Sequence, residues 1–176
     1  MKIKPLVAIP LLLCSSLLGA CNKESSAENK AITEVEVSTT VKSLTTKEYG
    51  DVITTDLKNP SKEDFKKVNI KFTLTGIDNI KKEEVEMPNY KKAFNSLDKD
   101  ENKQVEYRYW YGGETGQEDG NSSIYKKEFI LYSKGLSNKD IKDVLDSNKI
   151  KTSWVIKGEK KNLKNEYSAA ENIEFK

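Results

Sequence analysis

A run of alternating aromatic residues near the middle of the sequence offers its clearest binding chemistry. Because alternate side chains of a strand point to opposite faces, Tyr107, Tyr109 and Tyr111 are predicted to share one face. Arg108 and Trp110 are predicted to share the other. Rigid aromatic rings beside an arginine provide contact area at low entropic cost. We therefore predict that these five residues form a binding surface for a protein, a peptide or a cell-wall polymer.

The same pattern also has a purely structural interpretation. A strand in the centre of the fold buries both faces, and its tyrosine hydroxyls then reach the rim of the core. The next twelve residues, 112–123, are rich in glycine and acidic side chains. They are too long for a tight turn and are predicted to form a mobile acidic loop. Such a loop is either functional or simply solvated.

Catalytic chemistry is poorly supported by the residue types present. The sequence has no histidine, which is the commonest general base and the commonest zinc ligand. It also lacks the familiar hydrolase and nucleotide-binding motifs. We predict a non-catalytic chain without cofactor or metal. The alternative is a small exported enzyme that cleaves a cell-wall glycan with two carboxylates. The candidate acids are Glu83, Glu84, Glu86, Glu114, Glu118 and Asp119.

One acidic segment resembles the start of a calcium loop of the EF-hand kind. Its oxygen-bearing side chains occupy alternate positions, at Asp98, Asp100, Asn102 and Gln104. The pattern then fails, because Lys103 stands where the sharp turn requires glycine. Tyr109 stands where the bidentate glutamate should be. A polar connection between a helix and a strand is therefore predicted in place of a metal site.

The first twenty residues have the layout of an export signal. Two lysines, Lys2 and Lys4, precede an apolar stretch over residues 5–18, and two small residues follow it. A membrane-spanning helix needs about 20 consecutive apolar residues. This stretch is shorter and is interrupted by Ser15 and Ser16. A signal peptide over residues 1–20 is therefore predicted.

The end of this signal, Leu18-Gly19-Ala20-Cys21, resembles the lipobox of bacterial lipoproteins. The resemblance implies cleavage before Cys21 and attachment of diacylglycerol, with fatty acyl chains such as palmitate, to its sulfur. Cys14 fits poorly because Leu13 precedes it. The alternative is an ordinary secretory signal that leaves Cys21 as a free thiol. Since two acyl chains anchor a protein stably, the resemblance implies an extracytoplasmic protein held at the cell membrane.

Charge and cysteine content limit the partners further. The chain has 30 basic and 28 acidic residues, and removal of the two leader lysines leaves 28 of each. Arg108 is the only arginine, so nucleic acid is not expected as a partner. Cys21 would be the only cysteine of the processed chain, which rules out an internal disulfide. The abundance of lysine and asparagine is typical of a Gram-positive source.

The remaining sequence predicts a short tether and one globular domain. Residues 21–31 are polar and aperiodic, and residues 32–176 form the domain. Hydrophobic periodicity predicts helices at 88–97 and 137–148, with a capped turn at 61–64. Alternation predicts strands at 32–41, 49–57, 68–75, 105–111, 124–132, 150–156 and 167–175. Strands outnumber helices, so we predict an α+β or mainly β fold: an antiparallel sheet or β-sandwich with two short helices in connections.

The lipid anchor can be tested by replacing its sulfur. Cys21→Ser is expected to release the protein into the medium, because neither acyl chain can be attached. Fractionation and mass spectrometry of the purified protein measure the outcome. Cys14→Ser is the control and should leave the protein on the membrane. An unmodified Cys21 thiol in native material would contradict the prediction.

Overall fold

A computed structural model describes residues 34–55, 57–98, 107–160 and 162–176. The predicted signal peptide, Cys21 and the tether lie outside these ranges, as do residues 99–106 of the calcium-like segment. The described residues form eight strands and three α-helices, which confirms the predicted α+β or mainly β fold. The elements are β1 (Glu34–Ser43), α1 (Thr46–Gly50), β2 (Phe65–Thr75), β3 (Ile80–Glu86), α2 (Tyr90–Asn95), β4 (Tyr109–Asp119), β5 (Ser122–Tyr132), α3 (Asn138–Ser147), β6 (Ile150–Ile156), β7 (Asn162–Tyr167) and β8 (Ile173–Phe175).

The strands form two sheets that share one core. The larger sheet has the order β4-β5-β2-β1-β8, and the smaller has the order β3-β6-β7. All pairs are antiparallel except β1 with β8. Residues from both sheets meet in the main core, for example Phe72 of β2 and Trp154 of β6. Two helices complete this core through Phe94 of α2 and Leu145 of α3.

Strand β2 follows the predicted alternation. Its inward residues Val68, Ile70, Phe72 and Leu74 are buried. Their neighbours Asn69 and Lys71 face the opposite side of the sheet. Pairing with β5 extends along the whole of β2, and pairing with β1 covers residues 66–75, so this strand sets the register of the larger sheet.

The two predicted helices are both present. Helix α3 begins at a capping box formed by Ser137 and Asp140, as predicted, and buries Ile141 and Leu145. Helix α2 is shorter than predicted, because Asn89 caps its first turn and a 3-10 turn over Ser96–Asp98 follows it.

The strand predicted at residues 49–57 is wrong, because α1 and a series of turns occupy this region. A capping box between Thr45 and Glu48 starts the helix. Hydrogen bonds from Thr45 lower the pKa of Glu48 to about 2. Lys67 of β2 donates to the same carboxylate at 3.2 Å. The predicted capped turn at 61–64 is confirmed, with Ser61 and Asp64 forming its box.

The predicted loop at residues 112–123 is also wrong, because these residues belong to a β-hairpin. Asp119 pairs with Ser122, so only Gly120 and Asn121 form the turn. Gly120 has a φ of 56°, which glycine adopts without steric cost. The glycines and acids of this segment hide its strand character in the sequence. Pairing with β5 supplies the hydrogen bonds that side-chain propensity alone does not predict.

In the C-terminal half, one predicted strand has the observed bounds and several other predicted elements differ from the structure. Strand β6 spans residues 150–156 as predicted. The single strand predicted at 167–175 is replaced by β7, which ends at Tyr167, and by β8, which pairs with β1. Strand β3 was not predicted, because five of its seven residues are lysine or glutamate. It pairs with β6 as an edge of the smaller sheet.

The close packing of the hairpin predicts different effects at two adjacent glycines. A Cβ added at Gly112 would lie 2.5 Å from the Glu128 carbonyl oxygen and 2.5 Å from the Phe129 Cβ. Gly112→Ala should therefore lower the free energy of unfolding by about 1 to 3 kcal/mol, as overpacking commonly does. At Gly113 no atom lies within 4 Å of an added Cβ, so Gly113→Ala is the matched control. Urea unfolding measures both, and equal losses would contradict the assignment.

Candidate functional site

A second apolar cluster lies on the face of the larger sheet that points away from the main core. It contains the buried residues Leu44, Val52, Phe65, Ile130 and Tyr132, with Tyr49, Leu57 and Trp110 packed against it. Ile130 lies between Phe129 and Leu131, which belong to the main core, so its side chain points to the opposite face. The segment around α1 folds over this end of the sheet and covers the cluster.

A β-bulge changes the predicted faces of the aromatic run. Tyr109 pairs with Leu131 and Tyr111 pairs with Ile130, so Trp110 is an additional residue in β4. The prediction that Tyr109 and Tyr111 share a face is therefore wrong. Tyr109 stacks on Phe129 of the main core at a centroid distance of 4.8 Å.

Trp110 packs against the second cluster. Its ring contacts Phe65 edge-on, at a centroid distance of 6.0 Å and an interplanar angle of 79°. The side chain is partly buried. Its role in the described structure is thus to extend the second cluster to the edge of the sheet.

Arg108 lies inside the protein, with a relative exposure of 6%. Its Nη1 donates to the carbonyl oxygens of Tyr132 and Lys134, at 3.2 and 2.9 Å. Its own carbonyl accepts from the Tyr132 amide at 2.7 Å. The side chain of Asn95, the last residue of α2, accepts the amides of Arg108 and Tyr109, both at 2.9 Å. Arg108 therefore joins the start of β4 to the end of β5.

Three large apolar or aromatic side chains are exposed in the described ranges. They are Ile53 at 72%, Tyr107 at 50% and Tyr111 at 46%. Tyr111 pairs with Ile130 of the second cluster, and Ile53 follows Val52 of the same cluster. We name Ile53, Tyr111 and the partly buried Trp110 the apolar patch, because each is a member of the second cluster or lies next to one of its residues in sequence or strand pairing. Of the five predicted binding residues, only Tyr107 and Tyr111 are thus strongly exposed.

The sequence reasoning missed Ile53. Its signal was an apolar pair, Val52-Ile53, within a polar connection. Val52 is buried in the second cluster, whereas Ile53 is exposed. The predicted central position of the aromatic strand is not observed either, because β4 is at one end of the larger sheet.

The acidic residues considered for catalysis are partly engaged in contacts between elements. Glu83 of β3 accepts hydrogen bonds from Ser123 and Tyr125 of β5, at 3.0 and 2.9 Å. Glu114 forms an ion pair with Lys127 at 3.0 Å. Burial raises the pKa of Tyr125 to about 12, with further contributions from Glu83 and from the charge of Glu118. The carboxylate of Glu83 therefore links the smaller sheet to the larger one.

No group of three or more acidic or cysteine side chains in the described ranges is arranged to hold a metal ion. Comparison with protein-family models, with curated proteins and with solved structures finds no match to this chain.

Because Arg108 is buried and Tyr111 is half exposed, replacing these residues should affect stability differently. Arg108→Ala should lower the free energy of unfolding by about 1.5 to 3 kcal/mol, since hydrogen bonds to a charged group are lost. Tyr111→Ala should lower it by less than about 1 kcal/mol, because about half of this side chain is already exposed. Urea unfolding of both variants tests this contrast. A fully stable Arg108→Ala protein would contradict the structural role of Arg108.

Proposed function

We propose that this protein is a lipid-anchored extracytoplasmic binding protein without catalytic activity. The leader pattern ending at Cys21 supports attachment to the outer side of the cell membrane. Within the described ranges, no helix has the length and apolar character needed to cross a membrane. In this proposal, the diacylglycerol on Cys21 provides the anchor, and the tether over residues 21–31 separates the folded domain from the lipid headgroups.

The observation that carries the binding role is the exposure of Ile53 and Tyr111 beside an otherwise buried cluster. Exposed apolar residues scattered over a surface are common, whereas ones that border an otherwise buried apolar cluster are candidates for an interaction site. A tyrosine side chain buries roughly 150 to 250 Å² when covered. Covering the exposed half of Tyr111, about 100 Å², would contribute roughly 2.5 kcal/mol before the costs of association.

The chemistry of the apolar patch favours a polypeptide partner over a sugar polymer. Sugars are bound mainly by stacking on flat rings, whereas Ile53 offers a branched aliphatic surface. A protein or peptide can cover Ile53 and Tyr111 together with its own apolar side chains. Because Trp110 is already packed on Phe65, its side chain needs little ordering on binding.

Site-specific photo-cross-linking in the producing cells tests this function. A benzophenone amino acid at position 53 or 111 is expected to give a covalent adduct with the partner. The same amino acid at Lys151, an exposed position in β6, is the control and should give no such adduct. Adduct formation should persist after mild detergent extraction and be lost in a Cys21→Ser protein released from the cell. Absence of adducts from both patch positions, or equal adducts from position 151, would refute the proposal.

A further inference from the structure

The four sheet edges of the described structure differ in how well they are protected against pairing with another chain. Exposed edge strands are usually short, bulged or supplied with lysine. Strand β8 has three residues, and β7 has six with Lys164 among them. Strand β3 carries Lys81 and Lys82 and has a bulge between Lys81 and Glu84. Three edges thus have the ordinary protective features.

Strand β4 has few of these features. It is eleven residues long, contains no lysine, and is exposed throughout residues 111–119. Its one bulge is confined to its start, between Tyr109 and Tyr111, so the pairing of 112–119 with β5 is regular. No described strand pairs with its outer side. About half of its peptide groups therefore direct their N–H and C=O groups away from β5.

Small residues make the outer backbone of β4 accessible. An added Cβ at Gly113 would meet no atom within 4 Å, so the space around this residue is open. Gly112 and Gly116 lie on the other face, where an added Cβ would meet Phe129 and Tyr125 respectively. Another strand could approach the edge without displacing large side chains.

The acidic side chains of β4 favour a partner with basic residues. The strand contains Glu114, Glu118 and Asp119 and no basic residue. Glu114 is paired with Lys127, whereas neither Glu118 nor Asp119 forms an ion pair with any described residue. The charge of Glu118 and the carboxylate of Glu83 both act on Tyr125, so negative charge accumulates near the end of the strand. Lysine or arginine side chains would complement this end.

We propose that residues 112–119 of β4 bind an extended polypeptide segment with lysine or arginine at alternating positions, by addition of a strand to the larger sheet. This inference rests on the proposed binding function and specifies its partner. Backbone hydrogen bonds hold the segment, and the acidic side chains select its basic residues. The apolar patch at the start of β4 receives an apolar side chain from the same segment. A second copy of this chain is a poorer occupant, since two β4 edges would bring together acidic strands that lack any basic residue.

The direct test uses synthetic peptides of about ten residues, close to the length of the strand they would join. The purified native protein in a non-ionic detergent is mixed with a fluorescent peptide that alternates valine and lysine. Binding is expected by anisotropy, with slowed amide hydrogen exchange in 112–119 and unchanged exchange in Asn162–Tyr167. A valine–glutamate peptide should bind at least about tenfold more weakly. A valine–lysine peptide N-methylated at alternate residues cannot form the ladder and should not bind.

Charge-reversal variants test the location. Glu118→Lys combined with Asp119→Lys should weaken peptide binding by about tenfold or more. Glu84→Lys combined with Glu166→Lys makes the same change in net charge at exposed positions of the smaller sheet and should leave binding unchanged.

Strand addition would be overturned if the valine–lysine peptide did not bind, or if its N-methylated form bound equally well. It would also be overturned if the control variant lost as much peptide affinity as the Glu118→Lys, Asp119→Lys variant. Finally, it would be overturned if dimerisation protected the β4 amides from exchange without any peptide. Any of these with intact cross-linking from position 111 would refute the strand partner alone. Loss of both peptide binding and cross-linking would refute the proposed function itself.

Discussion

The burial of one face of β2 is the constraint on which the structure depends. Val68, Ile70, Phe72 and Leu74 have almost no exposure, and β2 is the middle strand of the larger sheet. A slip of one residue would turn all four side chains to the opposite face. Since a buried side chain of this kind contributes about 1.5 to 3 kcal/mol, such a slip would cost roughly as much as the whole stability of a domain. The register of β1 and β5 is therefore fixed through β2.

Because β5 pairs with β4, its register also determines which side chains of the edge strand β4 are exposed to solvent. Residues 129–132 of β5 are all buried, because the main core covers one face and the second cluster covers the other. The bulge at Trp110 adjusts β4 to these two apolar surfaces. Tyr109 then enters the main core, Trp110 joins the second cluster, and Tyr111 stays exposed.

The edge of β4 is unusual within this particular chain. Basic residues number 30 in 176, yet none lies between Trp110 and Asn121. Stability alone does not require this, since lysine on an exposed edge strand helps to prevent unwanted pairing. The absence of lysine, the accessible backbone near Gly113 and the adjacent apolar patch share one location. Strand addition accounts for all three features together, while Arg108 and Asn95 hold the strand in place from inside.

The sequence by itself determined the features that depend on local pattern. Three features were predicted because each depends on residues that are close together in sequence. They are the alternation of β2, the capping box and apolar stripe of α3, and the extent of β6. The leader pattern and its lipid anchor likewise depend on contiguous residues and stay a prediction. The aromatic run was recognised as unusual, and the exposure of Tyr107 and Tyr111 is visible in the structure.

Only the tertiary structure decided the features that depend on distant partners. The glycine-rich segment 112–119 became a strand because β5 offers it a complete ladder, and glycine itself has no preference for this state. The bulge at Trp110 followed from the need to fit two apolar surfaces at once. Arg108 was buried because carbonyl groups more than twenty residues away could accept its hydrogen bonds. Such contacts form between residues far apart in the chain, so local sequence patterns do not predict them.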